Sequence, residues 1–81
     1  MMYTVYILYS ETLKRYYTGQ TKDFENRLER HNSKKEKYTK NGTPWKLVWN
    51  TDLETRSEAV RLESKIKKRG AKRYLDDMLG V

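Results

Sequence analysis

Apolar and polar residues alternate in three segments of the chain, and each segment predicts a β-strand. Residues 3–9 carry apolar side chains on both alternating faces, which is typical of a central strand covered on both sides. Residues 16–20 follow a polar connection and predict a shorter strand, so the two segments form a hairpin. Residues 45–51 predict a third strand that places three large apolar residues on one face: Trp45, Leu47 and Trp49.

Helical periodicity and recognisable ends predict three helices. Asp23 can cap a helix over residues 24–31 with its carboxylate. Thr55 begins a capping-box pattern, and Gly70 is a natural stop for the helix that follows it. Residues 72–79 predict a last short helix. The elements therefore follow the order β-β-α-β-α-α.

This order predicts a single α+β domain over residues 1–81, with a small three-stranded antiparallel sheet flanked by helices. A chain of this size has a thin core, and aromatic residues, 12% of the sequence, can supply much of its buried area. The absence of cysteine excludes disulfides and thiolate zinc sites, and a single histidine excludes a His-rich metal site.

The chain shows neither a secretory leader nor an apolar stretch of about 18 residues. We therefore expect a cytoplasmic protein with no membrane partner. We also expect no small-molecule cofactor and a monomeric state.

Positive charge is unevenly distributed, with one cluster over residues 57–73 and a second in the middle of the chain that consists of Lys34, Lys35, Lys37 and Lys40. The formal net charge is +7, and residues 57–73 carry seven Lys or Arg against two Glu. Such a field attracts polyanions, of which nucleic acid is the commonest soluble one, although a solvated lysine-rich face with no partner is the alternative. The candidate nucleic-acid contacts are Lys22, Lys34, Lys35, Lys37, Lys65, Lys67, Lys68, Arg69, Lys72 and Arg73.

Charged residues interrupt the stripes with which two helices should face the sheet. The first stripe consists of Phe24, Arg27, Leu28 and His31, and the second of Ala59, Leu62, Glu63 and Ile66. One interpretation is an Arg27–Glu63 ion pair with His31 partly exposed. The other is a phosphate site, in which Arg27 contacts phosphate oxygens and Glu63 holds a magnesium ion that keeps most of its waters.

Two tyrosines lie on the two strands of the hairpin. Tyr6 and Tyr17 share a face if the residue numbers of paired positions sum to an odd value. The sequence leaves that register open, and tyrosines in a small sheet protein also serve simply as core and surface filler.

Taken together, these residues resemble the GIY-YIG nuclease family. Residues 4–6, Thr-Val-Tyr, stand where the family has its first signature, and residues 17–19, Tyr-Thr-Gly, stand where it has the second. Arg27 and His31 follow at the family's separations, and residues 57–63 resemble its metal-binding helix. The resemblance covers nearly the whole chain. It is closest to short, stand-alone members, which resemble the nuclease domain of the bacterial excision-repair incision subunit.

The resemblance implies a three-stranded sheet flanked by helices and a metal-dependent endonuclease that hydrolyses phosphodiester bonds, with DNA as the expected substrate. Glu63 would hold one divalent ion, magnesium or manganese. Arg27 would stabilise charge on the scissile phosphate, with His31 assisting beside it. Tyr6 and Tyr17 would position and activate the attacking water.

The sequence also departs from the family pattern. Thr4 replaces the first glycine, Gln20 stands where many active members carry lysine, and no counterpart of the family's late asparagine is evident. Lys22 could supply the missing cation. These departures leave a non-catalytic nucleic-acid-binding module as the alternative, and a small interaction protein without a nucleic-acid role as a third.

Overall fold

The computed structural model describes residues 2–34 and 39–80. Within these ranges the chain forms, in order, β1 (Tyr3–Ser10), β2 (Arg15–Thr21), α1 (Phe24–Asn32), a 3₁₀ helix (Lys40–Gly42), β3 (Trp45–Leu53), α2 (Arg56–Arg69) and α3 (Ala71–Leu79). This order and the α+β class confirm the sequence prediction.

The three strands form one antiparallel sheet in the order β2-β1-β3. β1 is the central strand, as its two apolar faces predicted, and separate clusters cover its two sides. One cluster contains Val5 and Ile7 together with residues of α2 and α3. The other contains Tyr6 and Leu8, and residues of α1 pack against it. The two helical layers thus lie on opposite faces of the sheet.

A β-bulge divides β3 between these two faces. The pairing of β1 with β3 shifts between Ile7 and Leu8, where Ile7 pairs with Trp49 and Leu8 with Leu47. Because a one-residue shift reverses the side-chain alternation, Trp45 packs with Tyr6 and Leu8, whereas Trp49 packs with the α2 and α3 layer. The prediction that Trp45, Leu47 and Trp49 share one face is therefore wrong.

Local side-chain chemistry sets the helix boundaries. The Asp23 carboxylate accepts a hydrogen bond from the Asn26 backbone N–H at 3.2 Å and begins α1. Thr55 accepts from the Glu58 backbone N–H at 3.1 Å and donates to the Glu58 carboxylate at 2.9 Å, which confirms Thr55 as the cap of α2. Gly70 adopts a φ of 93°, a conformation that glycine reaches readily, and it separates α2 from α3.

The helices are short and amphipathic. Phe24 and Leu28 of α1 pack against the Tyr6 and Leu8 cluster, as their stripe predicted. Ala59 and Ile66 of α2 are fully buried on the other face. Across residues 2–34 and 39–80, no helix has the length and apolar character needed to cross a membrane.

Candidate active site

The register of the hairpin brings the two signature tyrosines onto the same face. Tyr6 pairs with Gly19 and Leu8 pairs with Tyr17, so paired residue numbers sum to an odd value. The Tyr6 and Tyr17 ring centroids are 6.3 Å apart. The register therefore satisfies the condition stated from the sequence for a shared face.

Gly19 leaves the space into which the Tyr6 ring extends. A Cβ atom at position 19 would lie 2.5 Å from the Tyr6 hydroxyl oxygen and 2.7 Å from its Cζ atom. Real Cβ atoms essentially never make contacts this short. The glycine of the Tyr-x-Gly signature thus has a steric role, because it allows a ring from the central strand to lie across the neighbouring strand.

The Tyr6 side chain is buried among aromatic rings, with 1% of its surface exposed. Its ring centroid lies 5.2 Å from that of Phe24 and 6.0 Å from that of His31. Burial, and after it the neighbouring Tyr17 hydroxyl, raise the pKa of Tyr6 to about 12. A hydrogen bond from Arg27 and its positive charge act in the opposite direction but do not outweigh burial.

His31 connects Tyr6 to the loop before β3. Its Nε2 atom lies 3.1 Å from the Tyr6 hydroxyl, and its Nδ1 atom lies 2.8 Å from the Thr39 hydroxyl. The Tyr17 ring packs against the imidazole at a tilt of 60°, with centroids 4.8 Å apart. The ion-pair interpretation expected His31 to be partly exposed; that expectation is wrong, because the side chain is 1% exposed between α1 and the sheet.

Hydrogen bonds join the end of α1 to the start of β3, and a further hydrogen bond from β3 positions Thr39. The Asn32 side chain accepts from the Trp45 backbone N–H at 2.6 Å and donates to the Trp45 carbonyl at 3.2 Å. The Trp45 indole N–H donates to the Thr39 carbonyl at 2.7 Å. Sequence reasoning missed both Asn32 and Thr39, because their partners depend on the path of the loop rather than on helical or strand periodicity.

Arg27 and Glu63 approach this cluster from different helices. Arg27, half-buried on α1, donates a hydrogen bond to the Tyr6 hydroxyl. Glu63 lies on α2 close enough for its negative charge to raise the pKa of Tyr6. Its side chain is 21% exposed and forms an ion pair with Lys67, 2.9 Å from carboxylate oxygen to ammonium nitrogen. The structure thus brings Tyr6, Tyr17, Arg27 and His31 together, with Glu63 within electrostatic reach.

The donor set fits a loosely held divalent ion better than an enclosed one. Within residues 2–34 and 39–80, no group of three or more His, Asp or Glu side chains could surround a metal. Glu63 could supply one carboxylate to a divalent ion, and its side chain is partly exposed to solvent. Magnesium is commonly bound in this way, through one or two carboxylates together with waters and substrate phosphates.

The basic residues divide into two groups by their surroundings. Lys67, Arg69 and Lys72 form ion pairs with Glu63, Asp77 and Asp76, respectively. Lys65 and Lys68 line a groove of about 780 Å³ between α2 and α3 and form no ion pair within the described part of the chain.

The remaining cations lie elsewhere on the surface. The Lys22 ammonium lies 5.6 Å from the centroid of the Tyr3 ring. Lys34 is exposed just beyond α1, and Arg73 is exposed on α3. Lys35 and Lys37 lie outside the described residues.

Comparison with known proteins identifies the class to which this fold and site belong. The family model described as the GIY-YIG catalytic domain matches residues 2–75. The chain therefore belongs to the GIY-YIG family.

Particular relatives carry the name UPF0213. A UPF0213 protein of Staphylococcus saprophyticus is 44% identical over 52 residues, and one of Staphylococcus aureus is 46% identical over 52 residues. Each match covers 63% of this chain and 63% of the relative's length. The solution structure of a UPF0213 protein from Bacillus halodurans superimposes with a TM-score of 0.59 at 34% identity, covering 96% of this chain and 85% of that one.

Proposed function

We propose that this protein is a metal-dependent endonuclease that hydrolyses phosphodiester bonds of nucleic acid, with DNA as the expected substrate. One observation carries the proposal. The buried Tyr6 hydroxyl accepts a hydrogen bond from Arg27, contacts His31 and lies beside Tyr17. A cation that can bind phosphate oxygens and candidate proton-transfer groups therefore meet at one point. We expect the protein to act as a monomer in the cytoplasm.

Arg27 supplies the charge that the reaction needs from the protein. A guanidinium presents planar donors that match phosphate oxygens, and it remains charged throughout the working pH range. Its half-buried position beside Tyr6 would strengthen its attraction for the negative charge that develops on the phosphate.

Tyr6 is suited to relay a proton rather than to act as a standing base. With a pKa raised to about 12, it carries its proton at neutral pH. It can orient the attacking water, accept a proton from it and release its own proton to the His31 Nε2 atom 3.1 Å away. Tyr17, beside both rings, would help to position that water.

Glu63 would hold one magnesium or manganese ion, which when bound would neutralise phosphate charge and favour deprotonation of water. The ion pair with Lys67 does not oppose this role, because that lysine is exposed and exposed ion pairs contribute little to stability. The 21% exposure of Glu63 also favours a site open to solvent over a closed structural ion pair.

A non-catalytic nucleic-acid-binding module is the second candidate function. Gln20 favours it, because that residue supplies no charge at a position where many active family members carry lysine. Lys22 lies above the ring of Tyr3, which packs with the α2 and α3 cluster on the face opposite Tyr6. This position does not favour Lys22 as the replacement for the missing lysine. The binding module would retain Arg27 and the basic surface but would not turn over substrate.

Cleavage of single-stranded, duplex and branched DNA, and of RNA, with magnesium, manganese or EDTA separates the two functions. Under the nuclease proposal, Glu63→Gln abolishes divalent-ion binding and cleavage, changes the unfolding free energy little, and leaves nucleic-acid affinity in EDTA equal or slightly higher. Arg27→Ala weakens both binding and cleavage, because the guanidinium would contact phosphate directly. Glu29→Gln, the same charge change at an exposed position of α1, is the matched control.

The ion-pair interpretation makes a different forecast for the same variants. If Glu63 chiefly neutralises Arg27, Glu63→Gln leaves a partly buried cation without compensation and costs several kcal/mol of stability. A large loss in denaturant melts, combined with no magnesium-dependent change in binding or melting of the wild type, would remove the catalytic assignment and leave only the fold.

A further inference from the structure

His31 is held by two hydroxyl groups, one on each ring nitrogen, and both contacts are buried. The Tyr6 hydroxyl lies 3.1 Å from Nε2, and the Thr39 hydroxyl lies 2.8 Å from Nδ1. Thr39, like His31, is 1% exposed. Water therefore cannot readily replace either hydroxyl, and the two contacts together determine where the imidazole carries its proton.

The direction of the Tyr6 contact follows from the partners available to its hydroxyl. Tyr6 has one hydrogen to donate and is neutral at neutral pH. Arg27 has only donors, so the Tyr6 oxygen accepts from it and cannot donate to it. Among the described contacts, His31 Nε2 remains as the acceptor for the Tyr6 hydrogen. In a neutral ring the imidazole proton then resides on Nδ1 and is donated to the Thr39 oxygen.

We propose that Thr39 is a positioning residue that fixes the Nδ1-protonated tautomer of His31, so that Nε2 carries no hydrogen and can accept the proton of Tyr6. In hydrolytic triads the equivalent acceptor is a buried carboxylate on the far side of the histidine. Here the acceptor is a neutral hydroxyl, held by the hydrogen bond from the Trp45 indole to the Thr39 carbonyl. The catalytic meaning of this tautomer rests on the proposed nuclease function.

The relay that this arrangement permits is balanced in protons. The attacking water gives a proton to the Tyr6 oxygen as the Tyr6 O–H proton moves to His31 Nε2. The resulting hydroxide forms the new P–O bond while the bond to the leaving oxygen breaks. His31 becomes an imidazolium that still donates from Nδ1 to Thr39, and it returns its Nε2 proton through Tyr6 to the leaving oxygen or to solvent.

The chain contains a single histidine, which makes the tautomer directly measurable. Long-range proton–nitrogen correlation spectra of labelled protein at neutral pH report which ring nitrogen carries hydrogen. We expect Nδ1 to be protonated and Nε2 to be bare in the wild type. Thr39→Val, which preserves volume but removes the hydroxyl, should abolish this pattern, and Thr39→Ser should retain it. Thr18→Val, the same change at a buried position of β2, should leave the spectrum unchanged.

Cleavage measurements provide the second readout. Thr39→Val should reduce the cleavage rate by about tenfold to a hundredfold, with affinity in EDTA unchanged, and Thr39→Ser should restore the rate. A wild-type spectrum with hydrogen on Nε2, or on both nitrogens, would overturn the inference, as would a Thr39→Val variant that keeps the wild-type tautomer. If Thr39→Val does not fold, the wild-type and Thr39→Ser spectra still decide.

The proposed function and this inference fail in different ways. If the wild type cleaves no substrate but its His31 Nε2 carries no hydrogen, the proposed nuclease function is refuted. The assignment of Thr39 as the residue that fixes the tautomer is then upheld. A wild type that cleaves while carrying hydrogen on Nε2 retains the nuclease and refutes the role of Thr39.

Discussion

Replacing Gly19 by alanine should disturb the candidate active site through a single methyl group. That methyl carbon would lie 2.5 Å from the Tyr6 hydroxyl oxygen, whereas ordinary contacts begin at 3.4 Å, so the hydroxyl must retreat by about 1 Å. Such a displacement would disturb the 3.1 Å contact between the Tyr6 hydroxyl and the His31 Nε2 atom. The centroid of the Phe24 ring lies 5.2 Å from that of Tyr6, so a displacement of Tyr6 would strain the packed cluster.

The structure predicts both the sign and the size of the effect. Overpacking of this kind costs about 1–3 kcal/mol. Without the clash, alanine in place of glycine within a strand would stabilise the protein by roughly 0.5–1 kcal/mol. Urea denaturation should therefore show Gly19→Ala to be less stable than the wild type, and the cleavage rate should fall about a hundredfold because Tyr6 is displaced.

A double variant tests whether the Tyr6 hydroxyl causes the effect. In Gly19→Ala/Tyr6→Phe the contact at 2.5 Å disappears, while the contact to Cζ at 2.7 Å remains. Part of the stability should return, but cleavage should not. If Gly19→Ala is as stable as the wild type or more stable, and cleaves at the wild-type rate, then the steric account of this glycine is wrong.

Three further predictions concern the core, the charged surface and the ionisation of Tyr6. Trp45→Ala should destabilise the fold by about 3–5 kcal/mol in denaturant melts, because the ring is 5% exposed; a loss below about 1 kcal/mol would contradict its placement. Replacing Lys67, Lys68 and Lys72 by Gln should flatten the slope of log affinity against log salt by about 0.9 for each phosphate that the protein no longer neutralises, and an unchanged slope would place the binding surface elsewhere. Because the pKa of Tyr6 is raised to about 12, the stability gained from its neutral form is complete below about pH 10 and is lost as pH rises through the folded pKa. The stability of the wild type should therefore fall relative to that of Tyr6→Phe between these pH values, whereas a difference that stays constant would argue against the shift.

Local chemistry made most of the fold predictable from the sequence. The caps at Asp23 and Thr55 and the break at Gly70 depend on side chains within a few residues of each helix end, and all three positions agree with the structure. The face of Trp49 was not predictable in this way. Its orientation depends on the bulge opposite Ile7 and Leu8, which is a property of strand pairing rather than of the β3 sequence alone.

The candidate site was predictable where helical spacing controls it. Arg27 and His31 are four residues apart, so one helix face carries both towards the sheet. The hydroxyl contacts of His31 were not predictable, because Thr39 reaches the ring only through the loop that ends at Trp45. The ion pair of Glu63 with Lys67 has i,i+4 spacing and could have been predicted from the sequence. The ion-pair interpretation instead paired Glu63 with Arg27 of α1.

Gly19 links the register of the hairpin to the chemistry of the site. An isolated glycine within a strand weakens that strand, so its presence in β2 calls for a compensating reason. The reason is the ring of Tyr6, whose hydroxyl group crosses the space above Gly19 to reach His31 and Arg27. Had the register placed Tyr6 opposite Thr18 or Gln20, that space would be filled by a side chain. The position of Gly19, two residues after Tyr17, therefore indicates that the paired residue Tyr6 projects its ring across the hairpin. It also indicates that Tyr6 and Tyr17 are the two tyrosines that share the site.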